Sequence, residues 1–96
     1  MTISGFDHIA LPIENVEAML SFYRRLGFVV ERFEEDGLIF YAAHFGEHRF
    51  NFHDPRTWQS ETFSLRAPKA LPGCGDFCFV WDGTLESLLD FVRDPQ

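Results

Sequence analysis

Cysteine is nearly absent: Cys74 and Cys78 are the only two in 96 residues, which excludes a disulfide-dense scaffold. In an extended segment, residues four apart lie ~13 Å from each other, too far for those two to bridge. No second cysteine pair exists to complete a zinc site, so two buried or half-buried thiols in a reducing compartment are expected. Positive charge is also scarce. Eight Lys and Arg stand against fifteen Asp and Glu, a formal charge of -7, and the basic residues are scattered along the chain. That field repels phosphate backbones and argues against nucleic-acid binding. No apolar run approaches a membrane span, and MTISG leads directly into the first apolar strand without a signal-peptide pattern. A cytoplasmic chain with no membrane partner is expected.

What the chain does have is phenylalanine, twelve in all, enough apolar area to build a core. The length suits one small domain, which at this size buries only ~65% of its unfolded surface. Phe6 to Ile13 reads as a strand ended by Pro12. Asn15 is an N-cap for a helix whose apolar positions, Val16, Met19, Leu20, Phe22, Tyr23 and Leu26, recur at spacings of three and four until Gly27 stops it. Phe28–Glu34 and Leu38–Ala43 read as strands around an Asp36-Gly37 hairpin turn, and Arg49–Asp54 as a fourth strand. The pattern predicts an α+β fold: a β-α-β-β-β module over 1–54, a long connection over 55–72, and the start of a second module over 73–96. The second unit consists of a strand over Gly75–Trp81 and a helix from Leu85, N-capped by Thr84.

Strand parity then sorts the polar residues, because successive side chains point to opposite faces of a sheet. With Ile9 and Leu11 toward the helix, His8 faces away from it. With Phe50 and Phe52 toward the helix, Asn51 and His53 lie opposite. On the 75–81 strand, Asp76 and Cys78 lie opposite Phe77, Phe79 and Trp81. Parity thus aims His8, His53 and Asp76 at one surface, a two-imidazole and carboxylate set suited to a divalent Fe, Mn, Ni, Co or Zn ion. Each also has a structural reading: His8 as a solvent-facing or core histidine, His53 as strand-end punctuation, Asp76 as a turn residue. Asn51, Cys78 and Tyr41 are the candidates for substrate contact, with Trp58 and Phe63 as further pocket-lining aromatics that equally suit a core or loop anchor. His44 and His48, flanking the turn after the third strand, are expected in solvent.

The stretch FDHIALPIENVEAMLSFYRRLGF resembles the first strand and helix of the glyoxalase/bleomycin-resistance family, the vicinal oxygen chelate superfamily. FGEHRFNFHD followed by LPGCGDFCFV is similar to a glyoxalase-domain subfamily with an F-N-L-H strand and a P-G-S-x-D-x-C segment. The resemblance implies two β-α-β-β-β modules that curl around one metal, which acts as a Lewis acid on a substrate chelating through adjacent oxygens. By motif, His8 matches the first-strand ligand, Asp76 stands where many members have histidine, and Asn51 or His53 stands where some have a glutamate. Family members continue into a further strand set with a final glutamate ligand that these 96 residues lack. A fragment, a degenerate member and a chain completed by a second copy are the three expectations this raises, the homodimer being favoured. The functions expected are a metal-dependent lyase, isomerase or dioxygenase-like enzyme acting on a small oxygenated molecule, a non-catalytic small-molecule binder of the resistance type, or a structural remnant.

Overall fold

Helix α1 (Val16–Arg25) is fixed at both ends by its own sequence. The Asn15 side chain accepts from the Ala18 amide at 3.3 Å, Glu17 sits in the first turn, and Arg24 and Arg25 complement the carbonyl end. Beyond the cap residue Leu26, Gly27 takes φ +97, which lets the Phe28 amide donate to the Tyr23 carbonyl and the Gly27 amide to that of Arg24, each at 3.0 Å. This Schellman closure needs a left-handed residue, and glycine supplies it without a Cβ clash.

In this computed structural model, which describes residues 2–94, α1 packs on a four-stranded sheet in the order β1-β4-β3-β2. The strands are β1 (Ile9–Pro12), β2 (Val29–Glu35), β3 (Leu38–Phe45) and β4 (His48–His53). β1 runs parallel to β4, and the other pairs are antiparallel. Asp36 and Gly37 close the β2–β3 hairpin at φ 52 and 79, the two positive values that a tight hairpin turn requires. The α+β class and the four strands of the first module match the reading from sequence. β1 is shorter than its apolar run suggested, and His8 precedes the ladder.

Register fixes the two faces. Ile9 and Leu11 pair with Phe50 and Phe52, which pair in turn with Ala43 and Tyr41. These side chains form one cluster with Leu20 and Tyr23 of α1. The Tyr23 ring lies 5.0 Å from that of Phe52, 5.7 Å from Phe50 and 5.1 Å from Phe28, the spacing of tightly packed aromatics. Phe52 has no exposed surface, and burial of such a side chain contributes ~1.5–3 kcal/mol.

The connection over 55–72 opens with a one-turn helix, α2 (Pro55–Trp58), N-capped by Asp54. Pro at the first helical position and a capping carboxylate explain it. Thr57 is fully buried and holds Ile39 from both sides, accepting from its amide at 2.8 Å and donating to its carbonyl at 2.6 Å. Trp58 Nε1 donates to the Ile13 carbonyl at 2.9 Å, tying α2 to the end of β1. One expectation is corrected: Gly75–Trp81, read as a strand, pairs with no strand among the described residues. Its alternation of Phe77 and Phe79 reflects packing of aromatic rings on the first module, not a ladder.

Helix α3 (Leu85–Arg93) forms where expected, with the Thr84 hydroxyl accepting from the Ser87 amide at 3.0 Å. None of its residues is buried. Arg25 tethers it, donating to the Phe91 carbonyl at 3.2 Å and pairing with Asp94 at 3.3 Å, with its guanidinium 4.5 Å above the Phe91 ring. Pro95 and Gln96, the end of the second-module reading, lie outside the described residues, as does Met1. Among the described residues no helix is long and apolar enough to cross a membrane.

Candidate functional site

The sheet face away from α1 carries Ala10, Asn51 and His53 in register with Ala42 and Phe40. The connection after α2 covers part of it: the Phe63 ring stands 5.0 Å from the His53 imidazole and 5.6 Å from Phe40. Phe40 also packs edge-on to His53, at 5.4 Å, so the three rings form one mutual cluster. His53 is therefore buried, and burial is the main reason its pKa falls below the usual histidine value, with the charges of Arg66 and His8 adding to the effect. The ring is neutral at pH 7, the form in which an imidazole ligates or hydrogen-bonds a guest. Beside it, the buried Asn51 Oδ1 has no partner among the described residues, nor has Arg49 Nε.

His8 lies elsewhere. It is exposed, and its Nδ1 is 2.7 Å from Asp7 Oδ2. Arg49 reaches the same carboxylate oxygen at 3.1 Å and lies 3.1 Å from Nδ1. Nδ1 cannot both donate to the carboxylate and accept from the guanidinium, and the carboxylate needs a donor. The Nδ1 proton therefore faces Asp7, and the Arg49 guanidinium donates to the same carboxylate while its buried Nε has no partner among the described residues. The His8 hydrogen bond, followed by the Arg49 charge, pulls the Asp7 pKa below the carboxylate norm.

His8 and Arg49 stand at the rim of a cleft of about 520 Å³, within the ~300–1,000 Å³ range of small-molecule sites. Its walls are aromatic: Phe28, Phe45 and Phe50 from the first module, Phe77 and Phe79 from the extended segment. Phe77 lies 5.0 Å from Phe50, and Phe79 lies 6.1 Å from Phe28 and 6.3 Å from Phe45. Asp76 and Cys78 line the same cleft, as does His48.

The structure thus divides the residues that parity had grouped. His8, Asp76 and Cys78 share the aromatic cleft, whereas Asn51 and His53 lie on the sheet face under Phe63. Asp76 is not carried by a sheet strand, so its parity had no ladder to act through. Tyr41 is in neither place: it belongs to the core on the α1 side, where its hydroxyl donates to Asp54 Oδ2 at 2.7 Å. Both cysteines are exposed, against the expectation of buried or half-buried thiols. No three His, Cys, Asp or Glu side chains converge as a metal-ligand set among the described residues. His8, His53 and Asp76 therefore do not fit a shared ion in this arrangement.

Sequence reasoning missed the wall of the cleft and its rim. Phe50 was legible as core, Phe28 as the start of a strand and Phe45 as a turn residue, but only coordinates show them meeting Phe77 and Phe79. Asp54 was also missed as a polar anchor. It is buried, accepts from the Arg56 amide and guanidinium at 2.9 and 3.0 Å and from Tyr41, and the Arg56 hydrogen bond is the largest cause of a pKa lowered to about 2.

Comparison with known proteins places this architecture. The model of the Glyoxalase/Bleomycin resistance protein/Dioxygenase superfamily matches residues 5–68. A glyoxalase domain-containing protein of Mycosarcoma maydis, RDO1, is 28% identical over 96 residues, all of this chain and 47% of that protein. The chain thus spans about half the length of this curated relative. An integron cassette protein from the mobile metagenome of V. Cholerae superposes with a TM-score of 0.74 at 30% identity, over 97% of this chain and 68% of that one. A V. Pseudocholerae counterpart gives 0.75 at 28%, over 97% and 67%. Virulence protein STM3117 from Salmonella typhimurium gives 0.75 at 24%, over 97% and 69%, a likeness of fold. The chain belongs to the glyoxalase/bleomycin resistance protein/dioxygenase superfamily.

Proposed function

We propose that this chain acts as a small-molecule binder of its superfamily, holding an apolar or aromatic compound in the cleft between the sheet and residues 75–81. The carrying observation is the cleft itself: about 520 Å³, lined by six phenylalanines, Phe6 among them, and edged by Asp7, His8 and Arg49. Apolar walls supply affinity through area removed from water, and a few convergent polar groups orient the guest. Thermal-shift and calorimetric titration with a panel of aromatic compounds tests it. Saturable binding that is lost in Phe50→Ser and Phe79→Ser supports the reading. Absence of binding across the panel, with the protein folded, removes it.

A metal-dependent lyase, isomerase or dioxygenase-like activity is the second reading. It is favoured by the resemblance at His8, the position that matches the family's first-strand ligand. Asp76 shares the cleft with His8 while His53 lies on the sheet face under Phe63, so no catalytic step is assigned. Metal analysis of untagged protein and of a His8→Ala/His53→Ala variant decides it. Loss of one divalent ion per chain supports the enzyme, and equal metal content removes it. A homodimer is proposed with either reading, on the exposed apolar side chains Val80, Leu85 and Val92. Sedimentation equilibrium tests it, and a strictly monomeric species contradicts it.

A further inference from the structure

Resting on the binding reading above, we propose that the guest of the aromatic cleft is an organic cation: a protonated or quaternary amine on an aromatic or aliphatic body. The argument begins with which charges at the rim are already satisfied. Asp7 and Arg49 neutralise each other at 3.1 Å. That leaves Glu47, from the turn between β3 and β4, and Asp76, from the extended segment. Both line the cleft, both are exposed, and neither forms an ion pair or side-chain hydrogen bond among the described residues. The cleft therefore presents two uncompensated carboxylates and no uncompensated guanidinium or ammonium.

The walls carry the same sign. A phenyl face is the negative end of a quadrupole and attracts cations, most strongly where water is excluded. Phe45 and Phe79 are partly exposed at 40% and 43%, so part of each ring is accessible to a guest even though the His48 ring lies 4.8 Å from that of Phe45, while Phe28 and Phe50 are buried. The whole chain, at -7, adds a long-range field that draws cations in and repels anions. An aromatic carboxylate, by contrast, would meet Glu47 and Asp76, and Asp7 already offsets the charge of the rim's guanidinium, whose buried Nε alone has no partner among the described residues. Wall, rim and net charge select one class of ligand.

Isothermal titration with three probes of similar size tests this: benzyltrimethylammonium, its neutral isostere neopentylbenzene, and phenylacetate. The cation is expected to bind roughly tenfold tighter than the neutral isostere at low salt, the factor that a partly desolvated cation–π contact supplies. Its advantage should shrink at high ionic strength and in a Glu47→Gln/Asp76→Asn variant, and phenylacetate should bind weakest. Both substituted positions are exposed, so the variant is expected to fold, and circular dichroism checks it. Equal or tighter binding of neopentylbenzene or phenylacetate overturns the cation inference and leaves the cleft as a binding site. Failure of all three probes to bind overturns the cleft reading together with it. Competition between benzyltrimethylammonium and self-association of the chain supports the inference, whereas a dimer that occupies the cleft and ignores the probe overturns it.

Discussion

Residues 6–58 and residues 59–94 are built to different standards, although their apolar content looks alike in sequence. All the buried side chains among the described residues fall in the first region, where four paired strands, α1 and α2 enclose Phe52, Ala43 and Ile13. From Gln59 to Asp94 no residue is buried, no strand pairs, and the amphipathic α3 hangs on Arg25. The radius of gyration, 15.1 Å, exceeds the ~12–13 Å of a compact chain of this length, as the open second region requires. The difference teaches that alternation and amphipathicity announce a face that wants a partner. They do not say that the partner is found within the chain.

The contrast can be attacked at several strengths. Phe52→Ala should cost the most, about 3–5 kcal/mol, because the ring is fully enclosed by Tyr23 and Phe50; chemical denaturation should register it as loss of the folded baseline or a large midpoint shift. Val80→Ser, at 98% exposed, should stay within about 0.5 kcal/mol of the parent, and a loss as large as that of Phe52 would erase the distinction between the regions.

Next comes Asp54. Its pKa is about 2 in the fold against 3.8 unfolded, so its charge contributes stability on the order of 2 kcal/mol that is complete above pH 3.8 and disappears as pH falls through 2. Asp54→Asn should flatten the acid limb of the stability curve by that amount. His53 gives a milder effect of the same sign: its folded pKa lies below the unfolded 6.5, so stability is complete above pH 6.5 and declines as pH falls toward the folded value. His53→Gln should remove that decline. Smallest of all, Arg25→Ala should leave global stability within about 1 kcal/mol while amide exchange in α3 accelerates, because the tether is partly solvent-exposed.

The legibility of the sequence follows the same division. Both periodicities of the first module, 3.6 in α1 and 2 in β4, were readable because each has a partner that buries it. Asn15, Gly27 and Asp36-Gly37 marked the ends. α2 escaped notice because four residues carry no periodicity, though Asp54-Pro55 was an available start signal. Gly75–Trp81 was overread: Phe77 and Phe79 alternate because their rings meet Phe50 and Phe28, and ring packing needs no hydrogen-bonded ladder. Parity placed Asn51 and His53 on the sheet face away from α1, where register confirms them. It could not bring Asp76 there, since side-chain alternation fixes a face only within a paired strand.

The binding cleft is the claim on which the functional account stands, and NMR shift mapping with benzyltrimethylammonium tests it most directly. Saturable shifts concentrated on Phe28, Phe45, Phe50 and Phe79, with Asn51 and His53 unmoved, are the predicted result. Shifts centred on Asn51 and His53, or none at all in the folded protein, would contradict it.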